Sequence, residues 1–328
     1  AMEIITRFAP SPNGRLHLGH VFSAYIAAQF ARARNGICLL RIEDIDIGRA
    51  REEHVDAISS DLSWIGLSYA APVLRQSTRF AVYQTHLNRL RELGVLYPCW
   101  ATRSEIRQHI EAAPGGLKAW PRDPDGALVY PGLYRDISLS KRQAMMWEGR
   151  DYAWRLDIKK AQAMAEADNG GPLFFTECYS TECYSEDLSM KQKKQIQVDA
   201  HKFGDVVIAR KDVPTSYHLS VVIDDAFQKI SHVTRGADLL AATHIQRILQ
   251  ALLEIPAPVY AHHPLIRHLD GRRFSKTAGD TGFRELEALG WSPDRIIEHL
   301  PRPVGLGDAV SRDTLSKQLS EALTDVMS

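Results

Sequence analysis

Two histidines on either side of a glycine are of a type and spacing that could bind phosphate. His17-Leu18-Gly19-His20 follows a loop rich in proline and glycine and leads directly into an alanine-rich segment with helical spacing. Free backbone amides and the helix dipole favour anions at a helix N-terminus. The string alone is weak evidence, and two structural histidines at a helix start are the competing interpretation.

A second candidate site for phosphate chemistry lies far downstream. Gly271-Arg272-Arg273-Phe274-Ser275-Lys276-Thr277 places three cations in a loop bounded by glycine. Such a loop can close over a triphosphate and neutralise charge as pyrophosphate leaves. Loops of arginine and lysine are usually solvated surface, so this one gains weight only when it is paired with the histidine string.

The elements around the histidines predict how they are positioned. Residues 4–8 form a strand pattern, residues 19–34 a helix with one apolar face, and residues 37–42 a second strand. A strand, a helix and a strand in this order predict a βαβ unit and therefore a parallel sheet covered by helices. The histidines would then open the helix of that unit, directly after the loop 9–14.

Further along the chain, the order of the predicted elements indicates one sheet domain that is interrupted by an insertion. A capping box at Thr102–Glu105 starts a helix that runs to about Ala112, and residues 114–131 turn rich in glycine, proline and aspartate. Residues 205–210 and 220–225 are apolar runs that periodicity assigns to neither strand nor helix. We predict a catalytic domain at 1–96 and 191–255, an inserted subdomain at 97–190, and a C-terminal helical region at 256–328.

Composition excludes several classes of protein. The chain has 328 residues, a formal net charge of +0, 45% hydrophobic and 24% charged residues, and four cysteines. These values are typical of a globular protein and argue against a disordered, fibrous or disulfide-stapled chain. With no signal peptide and no long apolar stretch, we expect a cytoplasmic protein that does not enter the membrane. A nucleic-acid partner would have to meet a local basic patch.

Both phosphate-binding candidates resemble signatures of one family. The histidine string is similar to the HIGH motif of class I aminoacyl-tRNA synthetases, and residues 273–277 are similar to a degenerate KMSKS motif. Residues 7–14, 41–46 and 217–225 resemble the glutamyl/glutaminyl branch of that family. The resemblance covers roughly residues 4–300 and implies an α/β fold, the class I synthetase Rossmann-like parallel sheet with an inserted α+β subdomain and a small helical C-terminal region.

The resemblance implies roles for individual residues. It assigns catalysis to His17, His20 and Lys276, and it assigns binding of ATP, accompanied by Mg²⁺, to these three together with Gly19 and Ser275. The residues it assigns to glutamate are Arg7, Ala9, Ser11, Glu43, Tyr217 and Arg235. Glu43 would receive the ammonium group, and the two arginines would receive the carboxylates, for which the guanidinium fork is suited.

Related proteins often hold structural zinc in the inserted region, but the ligands here are degenerate. Only Cys99 remains of the usual cysteine pair, and Tyr134 stands where the last cysteine would fall, with Tyr130 nearby. One thiolate with two phenols is a poor zinc site, so we expect no metal and a segment held by packing. Core aromatics are expected at Trp100, Trp120, Trp147 and Trp154.

The length of the chain points to the substrate. Only 25 residues follow Pro303, too few for the anticodon-binding domain of full-length relatives. Length and motifs are most similar to a truncated paralogue that activates L-glutamate without tRNA and transfers it to queuosine at the wobble position of tRNA(Asp). We expect the protein to bind the anticodon stem-loop of this tRNA and to act as a monomer. Alternatives are an ordinary glutamyl-tRNA synthetase core, a glutaminyl enzyme, and a non-catalytic RNA-binding regulator.

One repeat has no assigned role. Residues 176–180, Thr-Glu-Cys-Tyr-Ser, recur at once as residues 181–185. A duplication in a tolerant polar loop is the favoured interpretation, and the spacing of Cys178 and Cys183 is poor for zinc.

Overall fold

The computed structural model describes residues 2–178, 193–274, 282–301 and 315–327. The strands are β1 Ile5–Phe8, β2 Ile37–Ile42, β3 Leu74–Arg75, β4 Leu96–Cys99, β5 Ala153–Leu156, β6 Phe174–Cys178, β7 Lys193–Gln197, β8 Val207–Arg210, β9 His232–Gly236 and β10 Val259–His263. The helices are α1 Leu18–Ala33, α2 Glu52–Trp64, α3 Phe80–Glu92, α4 Arg103–Glu111, α5 Gly116–Ala119, α6 Leu139–Trp147, α7 Ile158–Asn169, α8 Tyr217–Phe227, α9 Ala242–Leu252, α10 Pro293–Glu298 and α11 Lys317–Met327.

The predicted βαβ unit is confirmed. β1 pairs in parallel with β2, with Ile5 opposite Ile37, and β2 pairs in parallel with β3. A second sheet has the order β7-β6-β10-β9, in which β10 runs parallel to both of its neighbours and β7 runs antiparallel. The two sheets adjoin where the backbone amide of Ser231, just before β9, donates to the carbonyl of Ile5 at 2.9 Å.

Apolar side chains pack on these sheets in two large clusters. One cluster joins α3, α7, α8 and α9 to β9 and β10, and Ile245, Ile248 and Leu249 of α9 are fully buried in it. The other joins α1 and α2 to residues 283–296 and α11. Burial of these faces is the main favourable term for the fold, and it leaves the carboxyl ends of β1, β2, β9 and β10 together at one edge.

The undecided apolar run at 220–225 is helix, because it lies within α8. Every residue from Leu219 to Asp225 is buried, and this burial on all sides removed the amphipathic period that would have identified a helix. Residues 207–210 of the other undecided run form strand β8. The predicted capping box is confirmed, because Thr102 and Glu105 cap α4 reciprocally.

Strand pairing cuts across the predicted domain bounds. β8 pairs with β5, and β5 with β4, in a three-stranded antiparallel sheet, so a strand from beyond residue 191 joins the inserted segment. β6, from before residue 190, pairs instead with β10 of the parallel sheet, and β10 itself lies beyond residue 256. The bounds themselves remain a prediction.

Two expectations within the inserted region are wrong. Trp147 is not a core aromatic, because 92% of it is exposed. The first copy of the repeat is not entirely a polar loop, because Thr176, Glu177 and Cys178 lie in β6 and the last two are buried. The rest of the repeat, with Cys183, lies outside the described residues. In the portion of the chain that is described, no helix is long and apolar enough to cross a membrane.

Candidate active site

A cleft of about 420 Å³ opens at the carboxyl edge of the parallel strands. It is lined by nine of the predicted site residues: Arg7, Ala9, Ser11, His17, Gly19, His20, Glu43, Tyr217 and Arg235. The other two, Ser275 and Lys276, lie outside the described residues, but Arg273 and Phe274 immediately before them also line the cleft. One cleft therefore joins the start of the chain to its last third.

The two histidines cap α1, and a backbone amide fixes the tautomer of each ring. The backbone amide of Gly19 donates to Nδ1 of His17 at 3.1 Å, and the amide of His17 donates to Nδ1 of His20 at 2.9 Å. Because both Nδ1 atoms accept, each neutral ring carries its proton on Nε2. The rings stack with centroids 3.7 Å apart. In this tautomer Nε2–H is the ring donor of each histidine, at the helix end where the dipole favours anions.

Gly19 is required by the fold of the cap itself. A Cβ atom at this position would lie 2.9 Å from Cε1 and 3.1 Å from Nδ1 of His17. These distances are shorter than ordinary van der Waals contacts, so any side chain would push the His17 ring off the helix end. Sequence reasoning assigned this glycine to the approach of a nucleotide, and the structure adds a reason within the protein.

The described part of the second motif contacts the first. The ring of Phe274 lies 6.0 Å from that of His17 and stacks on His268 at 4.0 Å. Arg273 forms an isolated bridge with Arg267 and lines the cleft. Residues 273–274 therefore lead the chain to the N-terminal end of α1.

Arg7 is held by an acid that the sequence did not identify as a partner. Its Nε donates to Oδ1 of Asp225 at 2.9 Å and its Nη2 donates to Oδ2 at 3.3 Å. Burial alone lowers the pKa of Arg7, but Asp225 beside it raises that pKa above its usual range. Among the described residues Nη1 has no partner, so this edge of a fixed cation is available to a carboxylate.

Glu43 is the buried anion of the cleft. Its Oε2 accepts from Nε2 of Gln76 at 3.1 Å and from Nε of Arg41 at 3.4 Å. Burial raises the pKa of Glu43, while Arg41 and Arg7 oppose the rise. Oε1 has no protein partner within the described ranges, which leaves it as an acceptor for a cationic group.

Arg235 is fixed by four contacts. Its Nε donates to Nε2 of His262 at 3.0 Å. Its Nη2 donates to Oγ1 of Thr243 at 2.8 Å and to the carbonyl of Leu239 at 3.5 Å. Its Nη1 donates to Oη of Tyr217 at 3.2 Å. A guanidinium has five N–H groups, so one on Nη1 is left for a ligand. Arg7 and Arg235 thus each present an Nη1 edge to the cleft.

Two residues missed by sequence reasoning set the orientation of Arg235. Because Nε2 of His262 must accept from arginine, its Nδ1 carries the proton and donates to Oε2 of Glu177 at 2.7 Å. Both side chains are fully buried, and burial lowers the pKa of His262 although Glu177 opposes this. In the sequence, Glu177 stands out only as part of the five-residue repeat and His262 only as one of two adjacent histidines. Neither feature indicates that the two side chains contact each other.

The degenerate zinc position is an apolar cluster with two polar contacts, both to the hydroxyl of Tyr130. Sγ of Cys99 donates to Oη of Tyr130 at 3.2 Å, and the same oxygen accepts from the backbone amide of Tyr134 at 3.0 Å. Trp100 packs edge-on against Tyr134 at 5.6 Å. Within the described residues, no group of three or more His, Cys, Asp or Glu could hold a metal ion. The prediction that this position takes no zinc stays a prediction.

The chain matches the family described as tRNA synthetases class I (E and Q), catalytic domain, over residues 3–167 and 180–324. It is 41% identical over 293 residues to the glutamyl-Q tRNA(Asp) synthetase of Rhodobacter capsulatus, covering 89% of this chain and 98% of that protein. A protein of the same name from Nocardia farcinica is 36% identical over 94% of this chain and 88% of its own length. The glutamate–tRNA ligase of Aquifex aeolicus is 32% identical over 91% of this chain but only 56% of its own length.

A solved structure supports the fold. A glutamate tRNA ligase from Elizabethkingia meningosepticum, determined in complex with its amino acid, superposes with a TM-score of 0.67 at 22% identity and covers 98% of this chain and 69% of that one. The α/β fold with its parallel sheet is therefore the fold of these ligases.

Proposed function

Since the chain belongs to the family of class I tRNA synthetases for glutamate and glutamine, we propose that it activates L-glutamate with ATP and transfers the glutamyl group to queuosine at the wobble position of tRNA(Asp). It is an enzyme of the ligase type, and ATP is the nucleotide that its family uses. The choice of acceptor is supported by relatives named glutamyl-Q tRNA(Asp) synthetase, one of which this chain spans over 98% of its length.

The observation that carries activation of glutamate is the charge arrangement of the cleft. Glutamate has two carboxylates and one ammonium group, and the buried charged groups of the cleft are two arginines, Arg7 and Arg235, and one carboxylate, Glu43. Asp238 and Arg273 also line the cleft but are exposed. We assign the two carboxylates to the arginines and the ammonium to Glu43. Ala9, Ser11 and Tyr217 line the remaining wall, where Ser11 and Tyr217 can donate hydrogen bonds.

The chemistry needs no protein nucleophile. An oxygen of the glutamate α-carboxylate attacks the α-phosphorus of ATP, the bond to the β-phosphate oxygen breaks, and pyrophosphate leaves with that electron pair. A hydroxyl of the queuosine cyclopentene-diol then attacks the carbonyl carbon, and AMP leaves as the ester forms. Catalysis is therefore positioning and charge neutralisation. We assign His17 and His20 to the phosphates through their Nε2–H groups, and Ser275 and Lys276 to the departing pyrophosphate.

Mg²⁺ accompanies ATP in this proposal, because a hard divalent cation bound by phosphate oxygens and water offsets triphosphate charge. The RNA partner is the anticodon stem-loop of tRNA(Asp), and the protein acts as a monomer. Among the described residues the nearest candidates for phosphate contact at the cleft are Arg273 and the two histidines.

The test separates activation from transfer. Glutamate-dependent exchange of pyrophosphate into ATP should proceed without tRNA, and radiolabelled glutamate should reach tRNA(Asp) that carries queuosine but not tRNA(Asp) that lacks it. Lys276→Ala should slow exchange at saturating glutamate more than it raises the KM for glutamate. Absence of exchange, or charging of tRNA(Glu) in preference to tRNA(Asp), would overturn the proposal.

A further inference from the structure

Helix α6 lies on the surface of the inserted segment and has no buried residue. It nevertheless exposes three large apolar side chains: Leu139 at 67%, Met146 at 37% and Trp147 at 92%. A tryptophan this exposed leaves a large aromatic face in water, which proteins usually avoid unless the face has a partner.

Beside Trp147 lies a groove of about 490 Å³. Its apolar lining comes from α6 and from one face of the β4–β5 pair, where Pro98 and Trp154 are opposite each other. The guanidinium of Arg91, at the end of α3, lies 4.5 Å from the centre of the Trp154 ring. We call this set, Arg91, Arg142, Gln143, Trp147 and Trp154 with its apolar neighbours, the tryptophan groove.

The polar side chains that line the tryptophan groove include cations but no acid. They are two arginines and one glutamine, and no carboxylate lines the groove. Neither Arg91 nor Arg142 pairs with an acid anywhere in the described parts of the chain, and Nε of Arg142 is buried there without a hydrogen-bond partner. In a chain of zero net charge, an unpaired cationic groove of this kind is complementary to a polyanion.

We propose that the tryptophan groove binds one unpaired nucleotide of the RNA substrate, with its base stacked on Trp147 and its phosphate contacted by Arg91 and Arg142. Unpaired RNA bases are recognised by stacking on aromatic rings and guanidinium planes, and phosphates by arginine. An apolar protein partner would leave both cations buried without a counter-charge, at a cost. The inference rests on the proposed function only in taking tRNA(Asp) as the RNA.

The test measures affinity for RNA apart from catalysis. Trp147→Ala should weaken binding of tRNA(Asp) at least about fivefold, the lower range for loss of one stacked base, whereas Trp147→Phe should retain most of the affinity. Arg142→Ala should weaken binding and make the slope of log K against log salt less steep by about one. Leu139→Ala is the matched control, because Leu139 is an exposed residue of the same helix that does not line the groove.

Equal thermal midpoints would show that each variant is folded, as expected for exposed positions. Wild-type affinity in Trp147→Ala, or an equal loss in Leu139→Ala, overturns the inference. A wild-type protein that sediments as a dimer, with Trp147→Ala a monomer of unchanged RNA affinity, would instead make the groove a contact between copies. Pyrophosphate exchange by the wild-type protein without RNA tests the proposed function separately, so the two can fail independently.

Discussion

Oε2 of Glu177 lies 2.7 Å from Nδ1 of His262, and the opposite nitrogen of that ring accepts a hydrogen bond from Arg235. A buried carboxylate thus fixes the tautomer of a histidine, which in turn fixes a cation of the candidate glutamate site. This is the arrangement by which carboxylates orient histidines that must present a particular nitrogen.

Loss of the acceptor on His262 should weaken binding of glutamate rather than the chemical step. In His262→Leu the Nε–H of Arg235 loses its partner, and hydrogen bonds to charged groups are worth about 1.5–3 kcal/mol. We expect the KM for glutamate in pyrophosphate exchange to rise about 10- to 100-fold with a smaller change in kcat. His262→Gln, which keeps an acceptor oxygen, should be milder. A fall in kcat alone in both variants would contradict the positioning role.

Arg235 itself should matter more than an exposed arginine. Removing one partner of a buried charge pair costs about 3–5 kcal/mol, so Arg235→Ala should raise the KM for glutamate by more than about 100-fold. Arg210 on β8 is exposed, and Arg210→Ala serves as the matched control, with a KM equal to that of the wild type. Comparable KM values for the two variants would rule out Arg235 as a glutamate ligand.

Gly19→Ala should disrupt the cap of α1. The added Cβ would lie 2.9 Å from the His17 ring, which would have to leave its place. Loss of an N-cap costs about 1 kcal/mol, and we expect that loss in urea unfolding together with a higher KM for ATP and an unchanged KM for glutamate. Gly48→Ala is the control, because the nearest atom to its new Cβ is 3.6 Å away. An unaltered KM for ATP would show that the cap of α1 does not contribute to nucleotide binding.

Acid should destabilise the protein through buried neutral histidines. Burial lowers the pKa of His232 and of His263 to about 4, whereas an unfolded histidine has a pKa of about 6.5. Below about pH 6.5 the unfolded chain binds more protons than the folded one. The contribution of these neutral histidines to the free energy of unfolding is therefore complete above this pH and is lost progressively towards pH 4. Each group contributes a slope of up to about 1.4 kcal/mol per pH unit.

Urea unfolding between about pH 7 and pH 5 measures this loss. His232 lies outside the cleft, next to Phe30, so His232→Gln is the informative variant. It should be less stable than the wild type at pH 7 but should lose less stability on acidification. A pH slope equal to that of the wild type would show that folding does not lower the pKa of His232.

Local patterns predicted the first third of the fold well, because β1, α1 and β2 each carry the periodicity of their own element. The same reasoning could not decide α8, since a helix buried on every side has no polar face to reveal its period. Nor could it show that β6 pairs with β10 and β8 with β5, because strand pairing depends on tertiary partners that local sequence does not encode.

The sequence predicted the residues that line the candidate site but not the buried residues that orient them. Arg7, Glu43 and Arg235 were identified through the resemblance of short strings, and the structure brings them to one cleft. Asp225 lies 218 residues from Arg7 and Glu177 lies 58 residues from Arg235, and no sequence period links such pairs. Their contribution became evident only from buried contacts.

The buried contacts that orient Arg7 and Arg235 also have a consequence for synthesis of the protein. Arg7 and Glu43 emerge early from the ribosome, whereas Asp225, which fixes Arg7, and His262, which fixes Arg235, emerge much later. Until His262 is available, Arg235 lacks the acceptor that orients its guanidinium group. Amino-acid recognition is thus acquired late in translation, and a fragment ending before β10 would be unable to bind glutamate, however well its first βαβ unit had folded.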